Sequence, residues 1–185
     1  MSLGEGGTPV VWVDRWASAH GLRRVGVKLE SINPTGSFKD RGTTLAVSLA
    51  RAVGIGQVIE DSSGNAGASV AAYASRAGIR ATIFVPAHAP AAKRSQMQRT
   101  GATIVSIEGH RAHVTEAALA EAEQTGAYYI GHNANPFFEA GMATFLYELK
   151  EQLSGEQPAH LVLPTGGGSL LVGAYTGWLR WTEAD

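Results

Sequence analysis

Apolar positions along the chain alternate between two rhythms. Short β-branched runs give way to longer alanine-rich stretches in which apolar residues return every three or four positions. "RVGVKLE" (24–30) predicts a strand, and "TTLAVSLARAVG" (43–54) a helix closed by glycine. The unit then repeats. "QVIED" (57–61) precedes the helical "AGASVAAYASRAG" (66–78), "RATIFVP" (80–86) precedes "APAAKRSQMQRTG" (89–101), and "ATIVSIEG" (102–109) precedes "HRAHVTEAALAEAEQTG" (110–126). The chain continues with "AYYIGH" (127–132), the helix "NPFFEAGMATFLYELKEQLSG" (135–155), the strand "HLVLP" (160–164) and an apolar helix in "GGSLLVGAYTGWLRW" (167–181). Strands alternating with helices imply βαβ units, a mostly parallel sheet and a doubly wound α/β fold. No linker or low-complexity tract interrupts them, so a second domain has to be interwoven rather than appended.

Composition narrows the function. A hydrophobic fraction of 44% and a charged fraction of 17% are ordinary for a globular protein, and a net charge of -1 gives no footprint for nucleic acid or an anionic membrane. The absence of cysteine removes disulfides, thiolate nucleophiles and Cys-held metals. The N-terminal stretch lacks a basic region followed by an apolar core, and the apolar runs are short for a membrane span. A cytoplasmic protein is expected.

Ligands of open α/β sheets bind beyond the carboxyl ends of the strands, so the turns there carry the chemistry. "TGGGS" (165–169) opens into an apolar helix, which suits an anion cradle. Gly166, Gly167 and Gly168 permit positive φ and close approach, and the helix start at Ser169 offers free N–H groups. A plain tight turn is the other reading. The dinucleotide and Walker patterns are absent. In "SSGNAGAS" (62–69), N–H groups of Ser63, Gly64, Asn65 and Ala66 can converge on a carboxylate, or Ser62, Ser63 or Asn65 can cap the helix. "ESINPTGSFKDRG" (30–42) places Lys39 where a helix begins. There burial and a positive field depress an amine's pKa and make it a nucleophile toward an aldehyde, the alternative being a solvated lysine. Together, an imine-forming amine, an anion cradle and a carboxylate loop fit pyridoxal 5'-phosphate acting on amino acids.

At these residues the chain resembles the fold type II pyridoxal-phosphate enzymes, the group of tryptophan synthase β, cysteine synthase, threonine dehydratase and threonine synthase. "LGEGGTPVV" (3–11), "NPTGSFKDRG" (33–42) and "SSGNAGASVAAYASRAG" (62–78) are most similar to threonine synthase and its homologues. The resemblance implies that Lys39 holds the cofactor and is the catalytic residue, and that Asn65 bonds the pyridine 3'-oxygen. It also implies that Ser63, Gly64, Asn65 and Ala66 receive the substrate carboxylate, and that Gly166, Gly167, Gly168 and Ser169 bind the cofactor phosphate. It implies a small mobile domain over 43–135, and a large cofactor-binding domain built from 1–42 and 136–185 and truncated at its C-terminus. The implied reaction is β/γ elimination or replacement on a small amino acid, threonine synthesis first and serine or threonine dehydration second. A non-catalytic truncated relative is a third reading, and a homodimer is expected. The chain departs from the threonine synthase pattern at "NPFF", where Phe137 and Phe138 stand in place of a phosphate-binding arginine. It departs again at Ala140 and Ala143, where charged residues are usual.

Overall fold

The computed structural model describes residues 1–133 and 135–183. Its central element is a four-stranded parallel sheet made of β3 (Gln57–Glu60), β4 (Arg80–Pro86), β5 (Thr103–Ile107) and β6 (Tyr128–Tyr129), in the order β5-β4-β3-β6. The two central strands, β3 and β4, are largely buried on both faces because both faces are covered. Val58, Ile83 and Val85 enter a core with α2 (Lys39–Ala52) and α3 (Asn65–Ala77). Their neighbours Ile59 and Phe84 point the other way, onto Val114 and Ala118 of α5 (Arg111–Thr125). Two crossover helices end where the sequence predicts, with Gly78 and Gly126 in the left-handed conformation past their last turns.

Near the N-terminus, β1 (Val10–Trp12) pairs with β2 (Gly26–Lys28) in an antiparallel ribbon, with the short helix α1 (Asp14–Ala19) between them. The strand predicted over 24–30 is therefore shorter, because Glu30–Ile32 turn into a 3-10 helix. The helix predicted over 135–155 is two, α6 (Pro136–Met142) and α7 (Thr144–Gln152), meeting at Ala143. "HLVLP" is not a strand. Among the described residues no neighbouring strand pairs with it, so it has no ladder to join. Helix α4 (Ala91–Arg99) lies between β4 and β5, and α8 (Ser169–Glu183) packs on α6 and α7. No helix among the described residues is long and apolar enough to cross a membrane.

The contact that positions the site is the crossing of α2 and α6, which brings backbone against backbone. A Cβ on Gly42 would stand 2.6 Å from the Phe138 carbonyl oxygen, and one on Gly141 would overlap that of Arg41. Only glycine at both positions allows this approach, which sets Phe138 beside the first turn of α2.

Candidate active site

Helix α2 starts at Lys39, earlier than the apolar pattern suggests, because the polar turn before it is closed by Asp40. The buried Asp40 carboxylate accepts from the Thr35 backbone N–H at 2.7 Å and the Thr35 hydroxyl at 2.5 Å, and also from Ser69 Oγ on α3 at 2.6 Å. One acid thus shapes the lysine turn and ties it to the helix that follows "SSGN". Arg41, 2% exposed, performs the same service on the other side. Its guanidinium donates to Glu30 at 2.7 Å through Nε and again through Nη2, to Glu148 of α7 at 2.9 Å, and to Thr8 at 3.1 Å. Of the triplet Lys39-Asp40-Arg41, two residues build the frame and one is left for chemistry.

Lys39 Nζ donates to Ser169 Oγ at 3.3 Å and lies 4.9 Å and 5.6 Å from the ring centres of Phe38 and Phe138. Among the described residues it makes no salt bridge. Burial pushes its pKa down from the usual lysine range, and the Glu60 carboxylate partly opposes that. The lysine turn and the glycine loop, 130 residues apart, therefore meet. Ser169 is buried at the first turn of α8, while Gly166 and Gly167 are exposed. Only Gly168 of the three has positive φ, +87°, and open space surrounds the position of its absent Cβ. A Cβ on Gly167 would overlap Oδ1 of the exposed Asn133, a side chain able to turn aside.

The third loop reaches the first two through helices. Asn65 is the first residue of α3, and its cap is Gly64 with no side-chain cap bond, so none of Ser62, Ser63 and Asn65 caps the helix. Ser62 Oγ instead accepts from the Gly64 N–H at 3.3 Å, leaving the N–H groups at Asn65 and Ala66 at an open helix start. Gly67 is obligatory here, since a Cβ would overlap the Ser62 carbonyl oxygen. Helix α4 clasps both turns. Lys93 Nζ donates to Asn65 Oδ1 at 2.8 Å, and Gln96 Nε2 donates to the Thr35 carbonyl at 3.3 Å.

Sequence reasoning left Lys93 unplaced and did not assign Asp40 or Arg41 a structural partner. It also missed Glu60 and His132. The available signal was an acid pair ending a β-branched run, an unusual finish for a buried strand.

Comparison with known proteins agrees with this geometry. A family model described as "Pyridoxal-phosphate dependent enzyme" matches residues 1–183. Threonine synthase of Methanosarcina acetivorans is 35% identical over 179 residues, 96% of this chain and 44% of that protein. The Mycobacterium leprae threonine synthase is 37% identical over 184 residues, 99% of this chain and 50% of its own length. Among solved structures, the processed form of threonine deaminase isoform 2 from Solanum lycopersicum superposes with a TM-score of 0.84 at 27% identity, covering 94% of this chain and 47% of that one. The chain thus spans about half the length of the curated relatives it matches. With a desolvated lysine set against a glycine loop at a helix start, and a family match along nearly all of its length, this chain belongs to the pyridoxal-phosphate-dependent enzymes of fold type II.

Proposed function

We propose that this chain forms the cofactor-holding part of an enzyme that eliminates or replaces a group at the β or γ carbon of an amino acid. Conversion of O-phosphohomoserine to threonine and phosphate is the leading reaction. The observation that carries the reading is Lys39, an amine without a salt-bridge partner among the described residues and 3.3 Å from the hydroxyl that ends the glycine loop. The residues fit pyridoxal phosphate. The space beside Gly168 stays open for a phosphate, Ser169 and the α8 start supply donors, and Lys39 supplies the amine.

When bound, the cofactor supplies an electron sink that acidifies the hydrogen on the substrate's α carbon. Lys39 would hold it, and its amine, with a pKa lowered by burial, is suited to take that proton on Nζ and return it. The open N–H groups of Asn65 and Ala66 at the start of α3 bind the substrate carboxylate, with Ser63 and Gly64 completing the loop. Lys93 occupies Asn65 Oδ1 at 2.8 Å, which would leave Asn65 Nδ2 as the donor to the cofactor's 3'-oxygen.

The threonine synthases among the relatives support the leading reaction. Threonine or serine deamination is the second reading. It is favoured by the "NPFF" segment, in which Phe137 is exposed, Phe138 is buried and neither offers a cation to a substrate phosphate. Assays of the protein at its natural length against O-phosphohomoserine, threonine and serine separate the two. Phosphate release with threonine formation supports the first, and 2-oxo acid formation from threonine or serine supports the second. A cofactor-loaded protein inert toward all three contradicts both.

A further inference from the structure

Strand β3 ends on two acids that the proposed chemistry does not use, and strand alternation separates them. Asp61 follows Ile59 toward α5, where its carboxylate accepts from Arg111 at 2.9 Å, Thr115 at 2.5 Å and Tyr129 at 3.0 Å. Glu60 follows Val58 to the opposite face and is fully buried. Its Oε1 lies 2.7 Å from Nδ1 of His132, on the loop after β6, and its Oε2 has no hydrogen-bond partner. Ligand atoms of the two acids and His132 lie within 4.8 Å of one another. The cluster does not suit a cation, because Asp61 is already committed to a guanidinium, a hydroxyl and a phenol.

What remains is a carboxylate–imidazole pair with one nitrogen free. A carboxylate only accepts, so Nδ1 carries the hydrogen toward Glu60, and Nε2 is the nitrogen that can take or give a proton. Nε2 has no hydrogen-bond partner among the described residues, yet it is not one of their buried unpartnered atoms, so it reaches solvent through the 12% of the side chain left exposed. Its surroundings are those of the candidate site. The His132 ring meets the Phe138 ring edge-on at 5.9 Å, and Lys39 Nζ is 5.6 Å from that same ring. The next residue, Asn133, has its Oδ1 where a Cβ on Gly167 would stand. His132 thus neighbours both the aromatic contact of the lysine and the glycine loop, at the carboxyl end of the sheet.

We propose that His132 is a second acid–base residue of the site, held by Glu60, which exchanges a proton through Nε2 with the oxygen that leaves or enters at the substrate's β carbon. The inference rests on the proposed function and assigns a proton transfer that Lys39 does not serve. In loss of a hydroxyl, the C–O bond breaks with its electron pair on oxygen, the proton on Nε2 passes to that oxygen, and water departs. In addition of water the same atoms move in reverse: an electron pair of the oxygen bonds the carbon, and Nε2 takes the proton released. A departing hydroxyl or an attacking water gains from such a group, whereas a phosphate leaves as a stable anion without one. Glu60 is a positioning residue, since its bond to Nδ1 fixes the ring and the nitrogen that faces outward.

Two measurements on the protein at its natural length test this. In the first, diethyl pyrocarbonate labels histidines and peptide mass spectrometry follows each, with the exposed His20 as internal reference. His132 should be labelled in the cofactor-free protein, and pyridoxal phosphate with alanine should abolish that labelling while His20 keeps its own. In the second, His132→Asn keeps an N–H for Glu60 but not the proton-transfer nitrogen. It should still exchange the α-hydrogen of alanine in deuterium oxide, and should lose at least about a hundredfold in turnover of serine, threonine or O-phosphohomoserine. Exchange lost together with turnover would mean a structural role and overturns the proposal, as does retained turnover or a His132 that the ligands leave unshielded. The labelling result stands even for a variant that does not fold. If the unsubstituted protein binds no cofactor and exchanges no hydrogen, the proposed function fails and this inference with it. If it does both while His132 stays unshielded, the inference alone falls.

Discussion

Replacing Arg41 by methionine removes the cation that joins the N-terminal segment, the lysine turn and α7, while leaving every residue of the proposed chemistry in place. Arg41 is 2% exposed and donates to two carboxylates and a hydroxyl. Glu148 keeps Lys28 at 2.5 Å after the change. Glu30 keeps only the neutral donors Thr8 and Asn33, at 2.7 Å and 2.9 Å. The loss therefore falls mainly on the partly buried Glu30 carboxylate left without its cation, a change that should cost about 2–3 kcal/mol, less than for a fully buried pair. Lysine at the position keeps the charge but not the fork, and should lose roughly half as much. Urea denaturation of the three proteins at neutral pH measures this, and adding Glu30→Gln to Arg41→Met should recover part of the loss. A methionine variant within about 1 kcal/mol of the unsubstituted protein would refute the reasoning, since solvent would then be satisfying Glu30.

The same network predicts an acid limb of stability. Burial opposes it, but hydrogen bonds and charge from Arg41 and Lys28 hold the Glu148 carboxyl down to about 2, and Arg41 lowers Glu30 likewise. Folded values below the unfolded 4.5 mean that this stability is complete above pH 4.5 and is lost as pH falls toward 2, a slope that Arg41→Met should flatten in denaturation curves. Gly167→Val should weaken pyridoxal phosphate binding at least about tenfold by equilibrium titration. Exposed Asn133 can turn away from the new side chain, so Asn133→Ala should not rescue the loss if the phosphate lies against this loop. Leu171, Val172, Tyr175 and Leu179 line an exposed apolar stripe of α8, so the 185-residue chain by itself should associate in light scattering, and Val172→Lys with Leu179→Lys should reduce it.

The α/β rhythm was legible because each strand and each crossover helix carries its own periodicity. Lys39, the "SSGN" loop and the glycine loop were legible because turn chemistry is written in consecutive residues. What failed depended on distant partners. "HLVLP" has strand composition but no ladder to join, and the helix over 135–155 divides at Ala143, which propensity alone does not mark. Arg41 meets Glu148 across 107 residues and Glu60 meets His132 across 72, so neither pair has a local signature. A run of three glycines does not say which of them needs positive φ; the structure gives that role to Gly168 and assigns Gly167 close approach to Asn133.

The most direct measurement is the covalent state of Lys39 in the protein at its natural length. Incubation with pyridoxal phosphate should produce a visible absorption band that borohydride abolishes, and peptide mass spectrometry should then find the pyridoxyl group on Lys39. Lys39→Ala should fold with unchanged circular dichroism and give neither the band nor the label, because the amine makes no salt bridge among the described residues and contributes chemistry rather than frame. A folded protein that stays colourless with excess cofactor, or one labelled on Lys93 or Lys28 while Lys39 remains free, would contradict the account.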